Sequence, residues 1–129
     1  MTVTESTISG NGRPILGAGI LNESTSGHNA TTTVLSSTLE SNTAANGGAI
    51  ANRSAGGEAR LSLDRNTLTG NTASENGGAI ANSVLAGGTA CLSLVRSVLS
   101  DNDSDLLARG LPTKRPMAAG QGDRYAQPV

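Results

Sequence analysis

The sequence predicts an all-β fold, a right-handed parallel β-helix of about three to four coils with ~30 residues in each coil. Gly-Gly-Ala-Ile occurs at 47–50 and again at 77–80, and a degenerate copy lies at 17–20. Short runs such as 61–63 alternate apolar and polar residues, which is the period of a strand. The chain has one aromatic residue, so its core must consist of thin aliphatic layers. A fixed repeat of this length indicates a stacked solenoid.

The first half of the repeat aligns in four copies with identical internal spacing. An apolar residue is followed five positions later by a second apolar residue, and three positions after that by asparagine. The three sets are Val3, Val34, Leu63 and Leu94; Ile8, Leu39, Leu68 and Leu99; and Asn11, Asn42, Asn71 and Asn102. In a β-helix each set would form a column with ~4.8 Å between neighbours, and the apolar columns would fill the interior.

The second half of the repeat occurs in three copies, because residues 106–109 replace it in the fourth. Its members are Ile20, Ile50 and Ile80, each followed two residues later by Asn22, Asn52 or Asn82. Stacked asparagines can satisfy one another's amide groups in the interior. The alternative is that each asparagine takes a left-handed backbone at an exposed turn. For the set that begins with Asn11 both interpretations stay open, whereas stacking is favoured for the set that begins with Asn22.

The repeat sets the predicted domain organisation. Residues 1–105 form the β-helix region, and residues 106–129 form a disordered, flexible tail, which holds three of the four prolines and no apolar rhythm. The alternation over 61–68 also fits the strand of a leucine-rich repeat. Its defining asparagine, Asn66, is serine in the other copies, and the segment 69–78 is turn-like. The leucine-rich repeat is therefore the weaker interpretation.

The sequence offers no catalytic, cofactor-binding or metal-binding constellation, so we expect none. The only histidine, His28, has no neighbouring cluster of ligand residues, and Cys91 is the only cysteine. Asp64, Arg65 and Arg96 are expected on the outer face of strands, where a basic residue near a carboxylate could serve proton abstraction. Ordinary solvated charges explain them better. Four glycosylation-like triplets begin at Asn22, Asn29, Asn52 and Asn102, and chance accounts for them in a chain this rich in Asn, Ser and Thr.

Charge and hydropathy exclude two classes of partner. A net charge of −1 and the lack of a dense basic run argue against nucleic acid. No stretch approaches the ~20 apolar residues that cross a bilayer, and the first residues show no signal peptide. The expected partners are another copy of the chain, through the open solenoid ends, and a carbohydrate or host-surface ligand.

The motifs resemble the repeats of polymorphic outer-membrane proteins, which are autotransporter adhesins. Gly-Gly-Ala-Ile at 47–50 and 77–80 matches one family tetrapeptide, and the second tetrapeptide, Phe-x-x-Asn, is matched with leucine or isoleucine in place of phenylalanine at 8–11, 39–42, 68–71 and 99–102. The resemblance covers residues 3–102. It implies a non-catalytic structural or adhesive segment, a fragment or degenerate relative of a larger secreted or cell-surface protein. Some β-helix proteins are polysaccharide lyases, so a remnant of such an enzyme is the alternative.

Overall fold

The computed structural model describes residues 1–12 and 15–104, and the backbone of two short strands at 114–115 and 124–125. Every regular element in these residues is a strand. The strands are β1 (Thr2–Thr4), β2 (Thr7–Ser9), β3 (Ile20–Thr25), β4 (Ala30–Leu35), β5 (Thr38–Glu40), β6 (Thr43–Asn46), β7 (Ile50–Ala55), β8 (Glu58–Asp64), β9 (Thr67–Thr69), β10 (Thr72–Asn76), β11 (Ile80–Val84), β12 (Thr89–Val95), β13 (Val98–Ser100), β14 (Asp103–Ser104), β15 (Lys114–Arg115) and β16 (Arg124–Tyr125). Apart from the antiparallel pair β15 and β16, the predicted tail at 106–129 lies outside the described residues.

The chain visits four parallel sheets in the same order in every coil. The first sheet contains β1, β4, β8 and β12, the second β2, β5, β9 and β13, the third β6, β10 and β14, and the fourth β3, β7 and β11. In the first coil two isolated bridges, from Gly12 to Thr43 and from Leu16 to Asn46, take the place of a strand in the third sheet. The described residues thus form three coils and the first three strands of a fourth. The predicted parallel β-helix is confirmed.

The register brings the repeat copies together residue by residue. Val3 pairs with Val34, and Ile8 pairs with Leu39, with the later copies following in the same columns. Ile20, Ile50 and Ile80 are likewise direct partners in the fourth sheet. Hydrogen bonds between equivalent residues span 31, 29 and 31 positions along the chain. The corners absorb the difference in length, so the strands keep their pairing.

The core lies inside the second and third coils. Val34, Leu39, Leu63 and Leu68 each have 0 % of their surface exposed, as does Ile50 in the fourth sheet. Burying a side chain of this size contributes about 1.5–3 kcal/mol. The columns are complete only where a coil lies on both sides, because in each coil the apolar residues cover those of the neighbouring coils.

Residues with positive φ form the corners between the first, second and third sheets. In the second coil these are Ser36 and Ser41, with φ of 49° and 54°. The residue after each of them points into the interior. The interpretation in which Asn42 and its equivalents take the left-handed backbone is therefore wrong: the preceding residue takes it, and this frees the asparagine to stack.

The corner that leads into the fourth sheet depends on residue type. Gly47 has a φ of 66°, and a Cβ on the adjacent Gly48 would run into the backbone of Thr72, so the Gly-Gly pair is required by both strain and space. Arg65 and Arg96, which were expected on strands, occupy positive-φ corners after β8 and β12 instead. Their side chains therefore leave the solenoid at an edge between sheets.

Candidate functional site

The first amide ladder runs up the interior at the corner between the second and third sheets and consists of Asn11, Asn42, Asn71 and Asn102. The Oδ1 of Asn71 accepts hydrogen bonds from the backbone N–H and from the Nδ2 of Asn42, both at 3.0 Å. The Nδ2 of Asn71 donates to the carbonyl of Leu39 at 3.0 Å, and to the Oδ1 of Asn102 at 2.8 Å. Asn42 and Asn71 are fully buried. Stacking thus provides partners for amides whose burial would otherwise cost free energy.

The second amide ladder, Asn22, Asn52 and Asn82, lines the inside of the fourth sheet. Nδ2 of Asn22 donates to Oδ1 of Asn52, and Nδ2 of Asn52 donates to Oδ1 of Asn82, both at 2.7 Å. Asn52 also donates to the carbonyls of Ala59 and Cys91, at 3.3 and 3.1 Å. These bonds cross the interior to the first sheet, so the ladder ties two sheets together as well as successive coils.

A third column, the serine ladder, was missed by the sequence reasoning and consists of Ser6, Ser37, Asn66 and Ser97. The backbone N–H of Ser6 donates to Oγ of Ser37 at 3.1 Å, and that of Ser37 donates to Oδ1 of Asn66 at 2.9 Å. The backbone N–H of Asn66 donates to Oγ of Ser97 at 3.0 Å. The signal in the sequence is a small polar residue two positions before each residue of the second apolar set.

All three ladders have the same direction. In each one the donor belongs to the earlier coil and the side-chain oxygen that accepts belongs to the later coil. The polar residues that define the repeat are therefore used to stack one coil on the next. They do not form a cluster that opens to solvent within the second and third coils, where Asn42, Asn52, Asn66 and Asn71 are buried.

Asp64 is the centre of a charged cluster at the corner between the first and second sheets. Arg96 donates to it through two atoms, Nε to Oδ1 at 2.9 Å and Nη2 to Oδ2 at 2.6 Å, and Arg65 Nη2 lies 3.7 Å from Oδ2. The hydrogen bond from Arg96, followed by the positive charge of Arg65, lowers the pKa of Asp64 in spite of partial desolvation. The same hydrogen bond raises the pKa of Arg96. An ionised carboxylate that accepts two hydrogen bonds is a weak base. The ion pair between Asp64 and Arg96 joins the third coil to the fourth.

Other surface contacts also join neighbouring coils. Glu23 of the first coil accepts from Arg53 of the second at 2.6 Å. At the corner that follows the third sheet, Nδ2 of Asn76 donates to Oδ1 of Asn46 at 2.8 Å. These contacts are partly exposed, and isolated surface ion pairs contribute at most about 1 kcal/mol.

The outer face of the second sheet carries a row of hydroxyl groups. Thr7, Thr38 and Thr67 are direct register partners in β2, β5 and β9, and all three are at least partly exposed. Neighbouring strands lie about 4.8 Å apart, so the row presents hydroxyls at one regular spacing. A repeated spacing on an extended surface suits a ligand that itself repeats.

The remaining candidates are scattered. Over 1–12 and 15–104, no three His, Cys, Asp or Glu side chains are grouped to hold a metal ion. His28 is exposed and contacts the carbonyl of Ser26 at 3.0 Å, and Cys91 is a free, exposed thiol on β12. Of the asparagines that begin glycosylation-like triplets, Asn29 alone lies outside the ladders. Within residues 1–12 and 15–104, no helix is long and apolar enough to cross a membrane.

Comparison with known families gives a match to part of the chain. Residues 67–83 match the family model of the Chlamydia polymorphic membrane protein repeat. The resemblance seen in the sequence is confirmed. The matched segment contains β9, β10 and all but the last residue of β11, and it includes members of both amide ladders and a complete Gly-Gly-Ala-Ile corner. No curated protein and no solved structure gives a significant match to the chain. The family and the solenoid together fit a repeat segment of a surface protein.

Proposed function

We propose that this chain is a non-catalytic structural or adhesive β-helix segment that belongs to a larger secreted or surface-displayed protein. The observation that carries the proposal is the use of the repeat's defining residues. Asn71 and the corner at 77–80 lie within the match to the surface-protein repeat, and each serves the stacking of coils. Such a repeat builds an extended scaffold whose outer surface can vary.

The charged residues support a non-catalytic role. A polysaccharide lyase needs a basic group that is free to take a proton from the substrate. Arg96 instead donates two hydrogen bonds to Asp64, and this contact raises the pKa of Arg96 and lowers the pKa of Asp64. Cleavage of an acidic polysaccharide by the purified chain, lost in Asp64→Asn, would overturn this part of the proposal and favour the lyase remnant.

For an adhesive role, the hydroxyl row of the second sheet is the surface we favour. Hydroxyl groups can both donate and accept, as the hydroxyls of a carbohydrate do. Binding of the chain to an array of glycans and to host-cell surfaces should fall when Thr38 and Thr67 are changed to lysine. The matched control is Thr43→Lys, which changes an exposed threonine of the third sheet. Equal loss in the control would remove the hydroxyl row as the binding surface.

Display at the surface has its own test. Antibodies raised against residues 1–104 should label intact source cells, and external protease should remove the signal. On an immunoblot the reactive polypeptide should be larger than the 12.8 kDa of this chain. Labelling that requires permeabilised cells would contradict surface display, and a band at the mass of this chain alone would contradict membership of a larger protein.

A further inference from the structure

The fourth coil exposes the interior of the solenoid. Leu94 and Leu99 are each 43 % exposed, whereas their partners one coil earlier, Leu63 and Leu68, are fully buried. The two exposed leucines, together with Ile80 and Asn102, line an open depression of about 530 Å³. The apolar columns therefore end at a face that a further coil of the same kind would cover.

The first amide ladder and the serine ladder also end on this face, and each ends with a hydrogen-bond donor. In the interior coils the backbone N–H of each residue of the first amide ladder and of the serine ladder donates to a side-chain oxygen of the next coil. Among residues 1–12 and 15–104, no acceptor receives the N–H of Asn102 or of Ser97. This C-terminal face thus offers two aligned N–H groups beside the exposed leucines.

The opposite, N-terminal face ends in acceptors at the same ladder positions. Asn11 donates to Asn42 through its N–H and its Nδ2, and within the described residues its Oδ1 accepts from no donor. The Oγ of Ser6 donates to the carbonyl of Thr4, and no described N–H donates to it. Val3 and Ile8 are partly buried and belong to the edge strands β1 and β2. The two faces are therefore complementary in hydrogen bonding and alike in register.

We infer that a second copy of this chain docks on the C-terminal face with its own N-terminal face. Strands β1 and β2 of the second copy pair in parallel with β12 and β13 of the first, continuing the first two sheets. Asn11 Oδ1 of the second copy accepts from the N–H and Nδ2 of Asn102, and Ser6 Oγ accepts from the N–H of Ser97. Val3 and Ile8 of the second copy cover Leu94 and Leu99. Each contact repeats one that the interior coils already make.

The direction of the ladders dictates a head-to-tail contact. If two C-terminal faces came together, donor would face donor at Asn102. The strands of the two copies would also run antiparallel, whereas the sheets of the solenoid are parallel. A head-to-tail contact uses two different surfaces, so it does not close on itself and extends into an open chain of copies. The inference concerns the isolated chain of 129 residues and does not rest on the proposed function, since in a longer protein a neighbouring coil would make the same contacts.

Sedimentation velocity with charged variants tests the inference. Wild-type chain should form a concentration-dependent series of oligomers. Leu99→Lys blocks the C-terminal face and Ile8→Lys blocks the N-terminal face, so each variant alone should stay monomeric. A mixture of the two should give a one-to-one dimer that grows no further, because each keeps one intact face. Val98→Lys is the matched control: it adds the same charge to the adjacent, outward residue of β13, and it should assemble as wild type does.

Several results would overturn the inference. A wild-type chain that is monomeric at every soluble concentration would refute the contact between copies. Self-association of Ile8→Lys alone would indicate a contact between like faces. Circular dichroism checks that each variant is folded. Hydrogen exchange on the wild type needs no variant: the amides of Ser97 and Asn102 should exchange more slowly as concentration rises, and unchanged exchange in an assembling chain would refute the proposed contact.

Discussion

Replacing Asn71 by alanine tests whether the first amide ladder supports the fold. The change removes the acceptor of the N–H of Asn42, which lies in the fully buried part of the interior, and the donor to the carbonyl of Leu39. An orphaned buried donor costs about 1–3 kcal/mol, and each further lost hydrogen bond about 0.5–1.5 kcal/mol. These two losses give an expected decrease in the free energy of unfolding of about 1.5–4.5 kcal/mol, and the lost bonds to Asn42 Nδ2 and Asn102 Oδ1 add to it.

The assay is urea unfolding followed by far-ultraviolet circular dichroism at low protein concentration. The matched control is Asn76→Ala. Asn76 lies in the same coil as Asn71 and donates a similar amide bond to Asn46 of the preceding coil, at 2.8 Å, but on the exposed surface. There water replaces the lost partner, so the cost should stay within about 0.5–1.5 kcal/mol. The reasoning is refuted if the two variants unfold at the same urea concentration.

Three further predictions rest on single contacts. Ser24 is 1 % exposed and its Oγ has no partner among the described residues, so Ser24→Ala should leave the free energy of unfolding, measured by urea, unchanged or raise it by up to about 1 kcal/mol; a clear decrease would reveal a missing partner. Gly70→Ala should cost about 1–2 kcal/mol because of its φ of 63°, since the nearest atom to a Cβ there lies at 3.8 Å, whereas Ser41→Gly at the equivalent corner, at a φ of 54°, should cost nothing or stabilise; equal costs would contradict the strain argument. The hydrogen bond from Arg96 lowers the pKa of Asp64 below its ordinary value of 3.8, so its contribution is present above that value and is lost as the pH falls through the folded pKa; Asp64→Asn should flatten the acid side of the stability profile, and an unchanged profile would refute the linkage.

The coil architecture could be predicted because the residues that pair in a solenoid recur at a nearly fixed interval along the sequence. Residues that pair in the structure, such as Leu39 and Leu68, are separated by one repeat in the chain. Alignment of the sequence with itself is therefore alignment of the strands. The same argument places Ile80 in an interior column, and it cannot tell that this residue is partly exposed, because exposure depends on whether a coil covers it.

The left-handed corners between the first three sheets could not be predicted from residue types. The left-handed position before the first amide ladder is occupied by Gly10, Ser41, Gly70 and Asp101 in the four coils, and only glycine signals such a backbone. The serine ladder escaped notice for a related reason. Serine is common in this chain, and the role of Ser37 appears only when the corner turns its hydroxyl toward the N–H of the preceding coil.

The direction of the ladders explains how a core with so little bulk can specify one structure. Aliphatic columns alone would tolerate a coil slipping along its neighbour, because leucine packs on valine or isoleucine with little penalty. A slip by one residue would separate Asn42 from Asn71 and leave a buried N–H and a buried amide without partners. The amides thus fix the register that the apolar residues stabilise. Since each coil supplies donors and the next supplies acceptors, a coil is completed only by the one that follows it. Folding of one coil therefore favours addition of another, and the cost of an open face is polar as well as apolar.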